Sequence, residues 1–135
     1  MNTITIGLDY DGTVTSDPEG FIAMVKGLRD RNHIVIVVTM RYRSECLADE
    51  NFMNFVKHVD GWVATGREAK RPFCESRSVR IHVWIDDNPA AVEKSATEIW
   101  GRASAEGTII TEVHDNTAPW VKEALKVSSV SSSPV

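Results

Sequence analysis

Short apolar runs alternate with amphipathic stretches along most of the chain. The run H-I-V-I-V-V-T at residues 33–39 is the clearest, because it is apolar almost throughout and rich in β-branched residues. A central parallel strand that is buried on both faces has this character. Shorter runs of the same kind predict further strands. The five predicted strands are residues 4–9, 33–39, 62–64, 81–85 and 108–113.

The stretches between these runs predict helices. The first has the clearest start, because Asp17 can cap a helix that has Pro18 at its first position. Apolar residues then recur at helical spacing until the pattern ends near residue 32. The predicted helices are residues 18–32, 44–58, 70–76, 89–99 and 119–126. The buried side of the second helix is expected to carry Leu47, Phe52, Phe55 and Val56.

Strands that alternate with helices indicate βαβ crossovers and a parallel sheet covered on both faces. We therefore expect an α/β fold, namely a Rossmann-like, three-layer α/β/α sandwich with five parallel strands. A length of 135 residues suits one domain. Residues 1–127 are expected to form this domain, and the serine-rich residues 128–135 a disordered tail.

Charge and composition exclude several classes of partner. A formal net charge of −4 argues against an extensive nucleic-acid surface, although a nucleic-acid end could still bind at one local site. No run approaches the roughly 18 apolar residues of a membrane span. The two cysteines lack metal-ligand spacing and are typical of reduced thiols. We expect a soluble, cytoplasmic protein with no membrane partner.

Two acidic side chains follow the first predicted strand. Asp9 and Asp11 are two positions apart in an extended segment, so they point to the same side, and Gly12 allows the chain to turn after them. Carboxylates this close repel each other unless a cation compensates, and Mg²⁺ is the natural choice among hard, oxygen-preferring ions. An ordinary acidic turn is the alternative. A calcium loop does not fit, because Thr13 and Val14 follow where further oxygen ligands are needed.

Further polar groups follow later in the chain. Thr39, Met40 and Arg41 end the second strand and offer a hydroxyl and backbone N–H groups to a phosphate oxygen. Lys70 offers a cation that could neutralise a phosphate, although most lysines are simply solvated.

Asp86 and Asp87 end the fourth predicted strand. Carboxylates in that position are costly unless they are paired or bound to metal, and capping of the next helix is the alternative role. The carboxyl ends of parallel strands lie at one edge of a sheet, so the groups that end strands are expected to converge there, namely Asp9, Asp11, Thr39, Asp86 and Asp87.

The order and spacing of these segments resemble the four motifs of the haloacid dehalogenase (HAD) superfamily. The four matching segments are D-Y-D-G-T, Thr39, Lys70 and W-I-D-D-N-P. The resemblance covers about residues 4–89 and is closest to small Mg²⁺-dependent phosphatases. It implies the strand order 5-4-1-2-3. The intervals between the motifs hold little more than one helix each, so no cap domain is expected and the site should be open.

The resemblance also implies a reaction and a set of roles. Asp9 would be the nucleophile that forms an aspartyl-phosphate, and Asp11 would be the general acid and base. Thr39 and Lys70 would hold the transferring phosphoryl group. The other candidate phosphate-binding residues are Gly12, Thr13, Met40 and Arg41.

Mg²⁺ is the implied cofactor. Asp9, the backbone carbonyl of Asp11 and Asp87 would ligate it, and Asp86 would act through water. An acid at position 11 favours phosphoryl transfer over dehalogenation. The implied substrate is a phosphomonoester such as a nucleotide, a nucleic-acid end or a sugar phosphate, and a homo-oligomer could close the open site.

Two other functions are compatible with parts of this pattern. A response-regulator receiver domain uses similar residues, but its adjacent acids end the first strand, whereas here they follow Lys70. A HAD-fold module that binds a phosphorylated ligand or partner with little turnover is the stronger alternative. Phosphate release separates the two, because binding alone releases none.

Overall fold

The computed structural model describes residues 2–101 as an α/β fold built on a parallel, four-stranded sheet. The strands lie in the order β3-β2-β1-β4. They are β1 (Thr5–Leu8), β2 (Ile34–Thr39), β3 (Gly61–Ala64) and β4 (Val83–Ile85). The helices are α1 (Pro18–Asp30), α2 (Arg43–Ala48), α3 (Glu50–Phe55), α4 (Lys70–Ser76), α5 (Ala90–Glu93) and α6 (Ala96–Trp100). Short 3₁₀ turns occupy Val14–Ser16 and Val56–His58.

The register of the sheet aligns the carboxyl ends of its strands. Leu8 of β1 pairs with Val37 of β2 on one side and with Ile85 of β4 on the other. Thr39 at the end of β2 pairs with Ala64 of β3. The residues that follow β1, β2 and β4 therefore emerge at one edge of the sheet, as the sequence predicts.

The main core lies between the sheet and the helices α1 and α3. Val35 and Val37 of β2 are fully buried, as is Val25 of α1. Helix α1 begins as predicted, because the Asp17 side chain accepts a hydrogen bond from the Gly20 backbone N–H at 3.1 Å. Since β1 and β2 are packed against this core, their ends form a firm base for the site.

The predicted helix at residues 44–58 is two helices and a 3₁₀ turn. Asp49 adopts an extended conformation between α2 and α3, and its side chain caps α3 by accepting from the Phe52 backbone N–H. The resulting rotation leaves Leu47 52% exposed and buries Cys46 instead. The prediction that Leu47 is buried is wrong, because it treated residues 44–58 as one continuous helix with a single apolar face.

The predicted helix at residues 89–99 is also interrupted. Lys94 is extended, and Ser95 begins α6 with a capping box in which its hydroxyl accepts from Glu98 N–H and its own N–H donates to the Glu98 carboxylate. The predicted fifth strand, closing helix and serine-rich tail, residues 108–113, 119–126 and 128–135, lie outside the described residues. None of the helices within residues 2–101 has the length and apolar character needed to cross a bilayer.

Candidate active site

Side chains from four separated segments meet at the carboxyl edge of the sheet. Asp9 and Asp11 follow β1, Thr39 ends β2, and Lys70 begins α4. The acidic pair after β4 completes the group. These residues line one small pocket of about 20 Å³, whose wall is formed by Asp9, Asp11, Thr39, Met40, Lys70, Asp86, Asp87, Asn88, Ala91 and Trp100.

Lys70 lies at the centre of the cluster and is only 2% exposed. Its ammonium donates to Asp9 Oδ1 at 2.7 Å and to Asp86 Oδ2 at 2.6 Å. Asp86 is held in turn, because its other oxygen accepts from the Asn88 backbone N–H at 2.9 Å. Burial lowers the pKa of Lys70, but the carboxylates of Asp9 and Asp86 outweigh this effect and hold the pKa above its ordinary value. The lysine is therefore a buried, charged bridge between two strand ends.

The Thr13 hydroxyl joins the first and last motifs. It lies 2.9 Å from Asp9 Oδ2 and 3.3 Å from Asp87 Oδ1, and it accepts from the Asp87 backbone N–H at 3.0 Å. Gly12 makes room for this arrangement. It has a φ of +89°, and a side-chain Cβ at this position would collide with the Asp87 carboxylate.

The electrostatics of the cluster are dominated by its excess of carboxylates. Burial, opposed by the charge of Lys70 and assisted by the contact with Asp87, raises the pKa of Asp9 to about 7. Burial likewise raises the pKa of Asp86. Three carboxylates face one ammonium here, so the protein alone does not balance the negative charge.

A cation would balance it. Asp9, Asp86 and Asp87 each offer an oxygen atom, and these three atoms lie within 4.8 Å of one another. Carboxylate oxygens are the ligands that Mg²⁺ prefers, and a pocket of about 20 Å³ suits one ion or a water molecule. The donor set and its size therefore fit a hard divalent cation.

Asp11 is held by a different partner from Asp9. The Arg41 guanidinium grips it with two hydrogen bonds, from Nε to Oδ2 at 2.8 Å and from Nη2 to Oδ1 at 2.7 Å. The Nη1 group of Arg41 donates to Asp49 Oδ2 at 2.8 Å. Burial lowers the pKa of Arg41, but its hydrogen bonds to Asp11 and Asp49 raise it above the ordinary value.

The other candidate phosphate-binding residues lie around the pocket. The Thr39 hydroxyl accepts from the Arg41 backbone N–H at 3.2 Å. The Met40 side chain packs in a cluster with Ala91, Ala96, Ile99 and Trp100. Met40 and Trp100 are also among the residues that line the pocket.

Three contributors to the site were not found from the sequence. Asp49 lay inside a predicted helix, although an Asp three positions before Phe52 is a readable capping signal. Trp100 lines the pocket, and no local signal in the sequence brings it there. Asn88 contributes a backbone N–H, which no residue type reveals. No known family model, curated protein or solved structure gives a significant match to this chain.

Proposed function

We propose that the chain is a Mg²⁺-dependent phosphomonoester hydrolase of the HAD type that acts through an aspartyl-phosphate on Asp9. The observation that carries the proposal is the buried Lys70, whose ammonium bridges Asp9 and Asp86 at the strand ends. A cation in that position can stabilise both the nucleophile and the negative charge of a phosphoryl group.

A purely structural role explains this cluster poorly. A buried ion pair contributes little to stability even when its charges match, and here Asp87 adds a third carboxylate to one lysine. Apolar side chains of similar volume would hold the strand ends together at lower cost. Such local conflict with stability is typical of a site that is kept for chemistry.

In the first step, the ionised Asp9 carboxylate attacks phosphorus. A bond forms between a carboxylate oxygen and phosphorus, and the bond from phosphorus to the ester oxygen breaks. Asp11 gives a proton to the departing oxygen and is left as a carboxylate, so an alcohol leaves. Lys70 and the Thr39 hydroxyl donate to the oxygens of the transferring group.

In the second step, Asp11 acts as a base. It takes a proton from a water molecule, whose oxygen bonds to phosphorus while the bond between phosphorus and Asp9 breaks. The Asp9 carboxylate and the protonated Asp11 are restored, and inorganic phosphate is released. The net reaction is the hydrolysis of one phosphomonoester to an alcohol and phosphate.

Asp9, Asp87 and the backbone carbonyl of Asp11 would hold the Mg²⁺ ion, with Asp86 close enough to act directly or through water. When bound, the ion favours the ionised form of Asp9 and offsets the charge that develops during transfer. The proposal extends to the fold. A fifth strand from residues 108–113 beside β4 would give the order 5-4-1-2-3 of a three-layer sandwich.

Phosphate release tests the proposed function. Wild type and Asp9→Asn are compared with Mg²⁺ and with EDTA on p-nitrophenyl phosphate, nucleotides, sugar phosphates, and oligonucleotides with a terminal phosphate. We expect release that requires Mg²⁺ and that Asp9→Asn abolishes. Asp30→Asn is the matched control, because it makes the same chemical change on an exposed face of α1.

The preferred ester will identify the substrate class. Equal release by wild type and Asp9→Asn would contradict the proposed nucleophile. If wild type binds Mg²⁺ but releases phosphate from none of the esters, the hydrolase proposal fails and a phosphate-binding module replaces it.

A further inference from the structure

The largely buried side chain of Arg41 connects the carboxylates of Asp49 and Asp11 through hydrogen bonds. Three of the N–H groups of Arg41 are engaged, two by Asp11 and one by Asp49. Its guanidinium also lies 5.2 Å from the ring centre of Tyr10 and 5.6 Å from that of Phe52. The side chain is 12% exposed, so its position is set by the protein and little by solvent.

Asp49 is fixed independently of Arg41. One of its oxygens accepts from the Phe52 backbone N–H at 3.1 Å and caps α3, while the other accepts from Arg41. The cap makes α3 a rigid support for the carboxylate. Contact with Arg41 and the Phe52 N–H lowers the pKa of Asp49 against the effect of burial, so it stays ionised.

We propose that Arg41, anchored by Asp49, is a positioning residue that sets the orientation of the Asp11 carboxyl for proton transfer. This inference rests on the proposed function. It assigns Arg41 a role through Asp11, whereas the sequence suggests direct contact with phosphate.

The geometry supports a positioning role. The two hydrogen bonds from Arg41 fix the plane of the Asp11 carboxyl, because a bidentate pair of this kind holds the guanidinium and the carboxylate in nearly one plane. Each carboxylate oxygen has two lone pairs, so the two hydrogen bonds from Arg41 leave one acceptor site free on each oxygen of Asp11. Asp11 also lines the same pocket as Asp9, which is where the leaving oxygen departs.

Leaving-group dependence tests this role. Benzyl phosphate and p-nitrophenyl phosphate are similar in size, but the benzyl alkoxide needs a proton as it leaves and the nitrophenolate does not. The value of kcat/KM reports the first transfer step, in which Asp11 is the acid. A defect that acts through Asp11 must therefore be larger for the benzyl ester.

Asp49→Asn is the most informative variant. Asparagine retains the cap of α3, but its amide N–H₂ would face the Arg41 donor and weaken the anchor. We expect kcat/KM to fall about tenfold on benzyl phosphate, part of the 10²–10⁴-fold that general acid catalysis typically supplies. The fall on p-nitrophenyl phosphate should be less than about threefold.

Asp17→Asn is the matched control, because Asp17 caps α1 in the same way and is exposed. It should leave both kinetic constants unchanged. Arg41→Gln should show the same pattern as Asp49→Asn with a larger loss, and in an Asp11→Asn background it should cause no further loss. If Arg41→Gln does not fold, Asp49→Asn still decides the question.

Equal losses on the two esters, or additive losses in the Asp11→Asn background, would overturn the inference and assign Arg41 to phosphate binding or to the fold. The absence of any loss would also overturn it. A wild type that hydrolyses neither ester would mean that the proposed function itself fails, and the positioning role fails with it.

Discussion

Replacing the proposed nucleophile should stabilise the metal-free protein. In Asp9→Asn the amide oxygen can still accept from Lys70, while the amide N–H₂ replaces the oxygen that faces Thr13 and Asp87. One of three buried carboxylates is thereby removed, and the remaining charge is closer to balance. The substitution that we expect to abolish turnover is therefore also expected to strengthen the fold.

The size of the effect follows from the pKa of Asp9, which burial raises from 3.8 to about 7. A group whose pKa is raised on folding stabilises the protein fully below the unfolded pKa, and this contribution is lost as the pH rises through the folded pKa. The loss therefore occurs between about pH 4 and pH 7. The raised pKa corresponds to roughly 4 kcal/mol at pH 8, which is a ceiling for the gain in Asp9→Asn.

Urea unfolding in EDTA at a series of pH values measures this effect. We expect Asp9→Asn to exceed wild type by about 2 kcal/mol or more at pH 8, and the two proteins to converge near pH 4, where Asp9 is protonated in wild type. The difference between the two curves removes the contribution of other titrating groups. Asp30→Asn, on the exposed surface of α1, should change stability by less than about 0.5 kcal/mol.

Mg²⁺ should offset the stability advantage of Asp9→Asn over wild type. A cation that binds only the folded wild type adds about 2.7 kcal/mol when its concentration is a hundred times its Kd, and Asp9→Asn should gain much less. A variant that is less stable than wild type in EDTA at pH 8, with a difference that does not depend on pH, would refute the electrostatic reasoning.

Two further predictions concern single positions, each with a matched control, and both are measured by urea unfolding. Gly12→Ala should lower stability by about 1–3 kcal/mol and weaken the Mg²⁺-induced gain, because φ is +89° and the new Cβ collides with Asp87. Gly27→Ala is the control, because Gly27 lies in α1 with nothing near its Cβ, and it should stabilise the protein by about 0.5–1 kcal/mol. A loss of stability in Gly27→Ala, or no loss of stability in Gly12→Ala, would contradict this expectation. Phe52→Ala should cost about 3–5 kcal/mol because Phe52 is fully buried. Leu47→Ala should cost less than about 1 kcal/mol because Leu47 is exposed, and a cost equal to that of Phe52→Ala would contradict this exposure.

The sequence predicts the parts of the fold that are encoded locally. The start of α1 depends on Asp17 and Pro18, and the structure has it at that position. The four described strands are apolar runs that are visible without tertiary information. Lys70–Ser76 is a helix as predicted, although its first residue points into the site for reasons that no local pattern contains.

The sequence does not predict contacts between distant side chains. Asp49 caps α3 and also accepts a hydrogen bond from Arg41, and Arg41 in turn binds Asp11, which is 30 positions away. The break before α6 is different, because Ser95 and Glu98 form a capping-box pattern that the sequence displays. Apolar periodicity alone does not reveal such a helix start when apolar residues continue across it.

The place of Lys70 in the chain has a consequence for synthesis. It is separated from Asp9 by 61 positions and follows three of the four described strands. A nascent chain that ends before it can pair β1, β2 and β3, yet Asp9 would lie in the interior without its cation, at a cost that favours the open chain. The segment that adds β4 also follows Lys70, so neutralisation and closure of the sheet come together. Folding and assembly of the candidate site are thereby coupled.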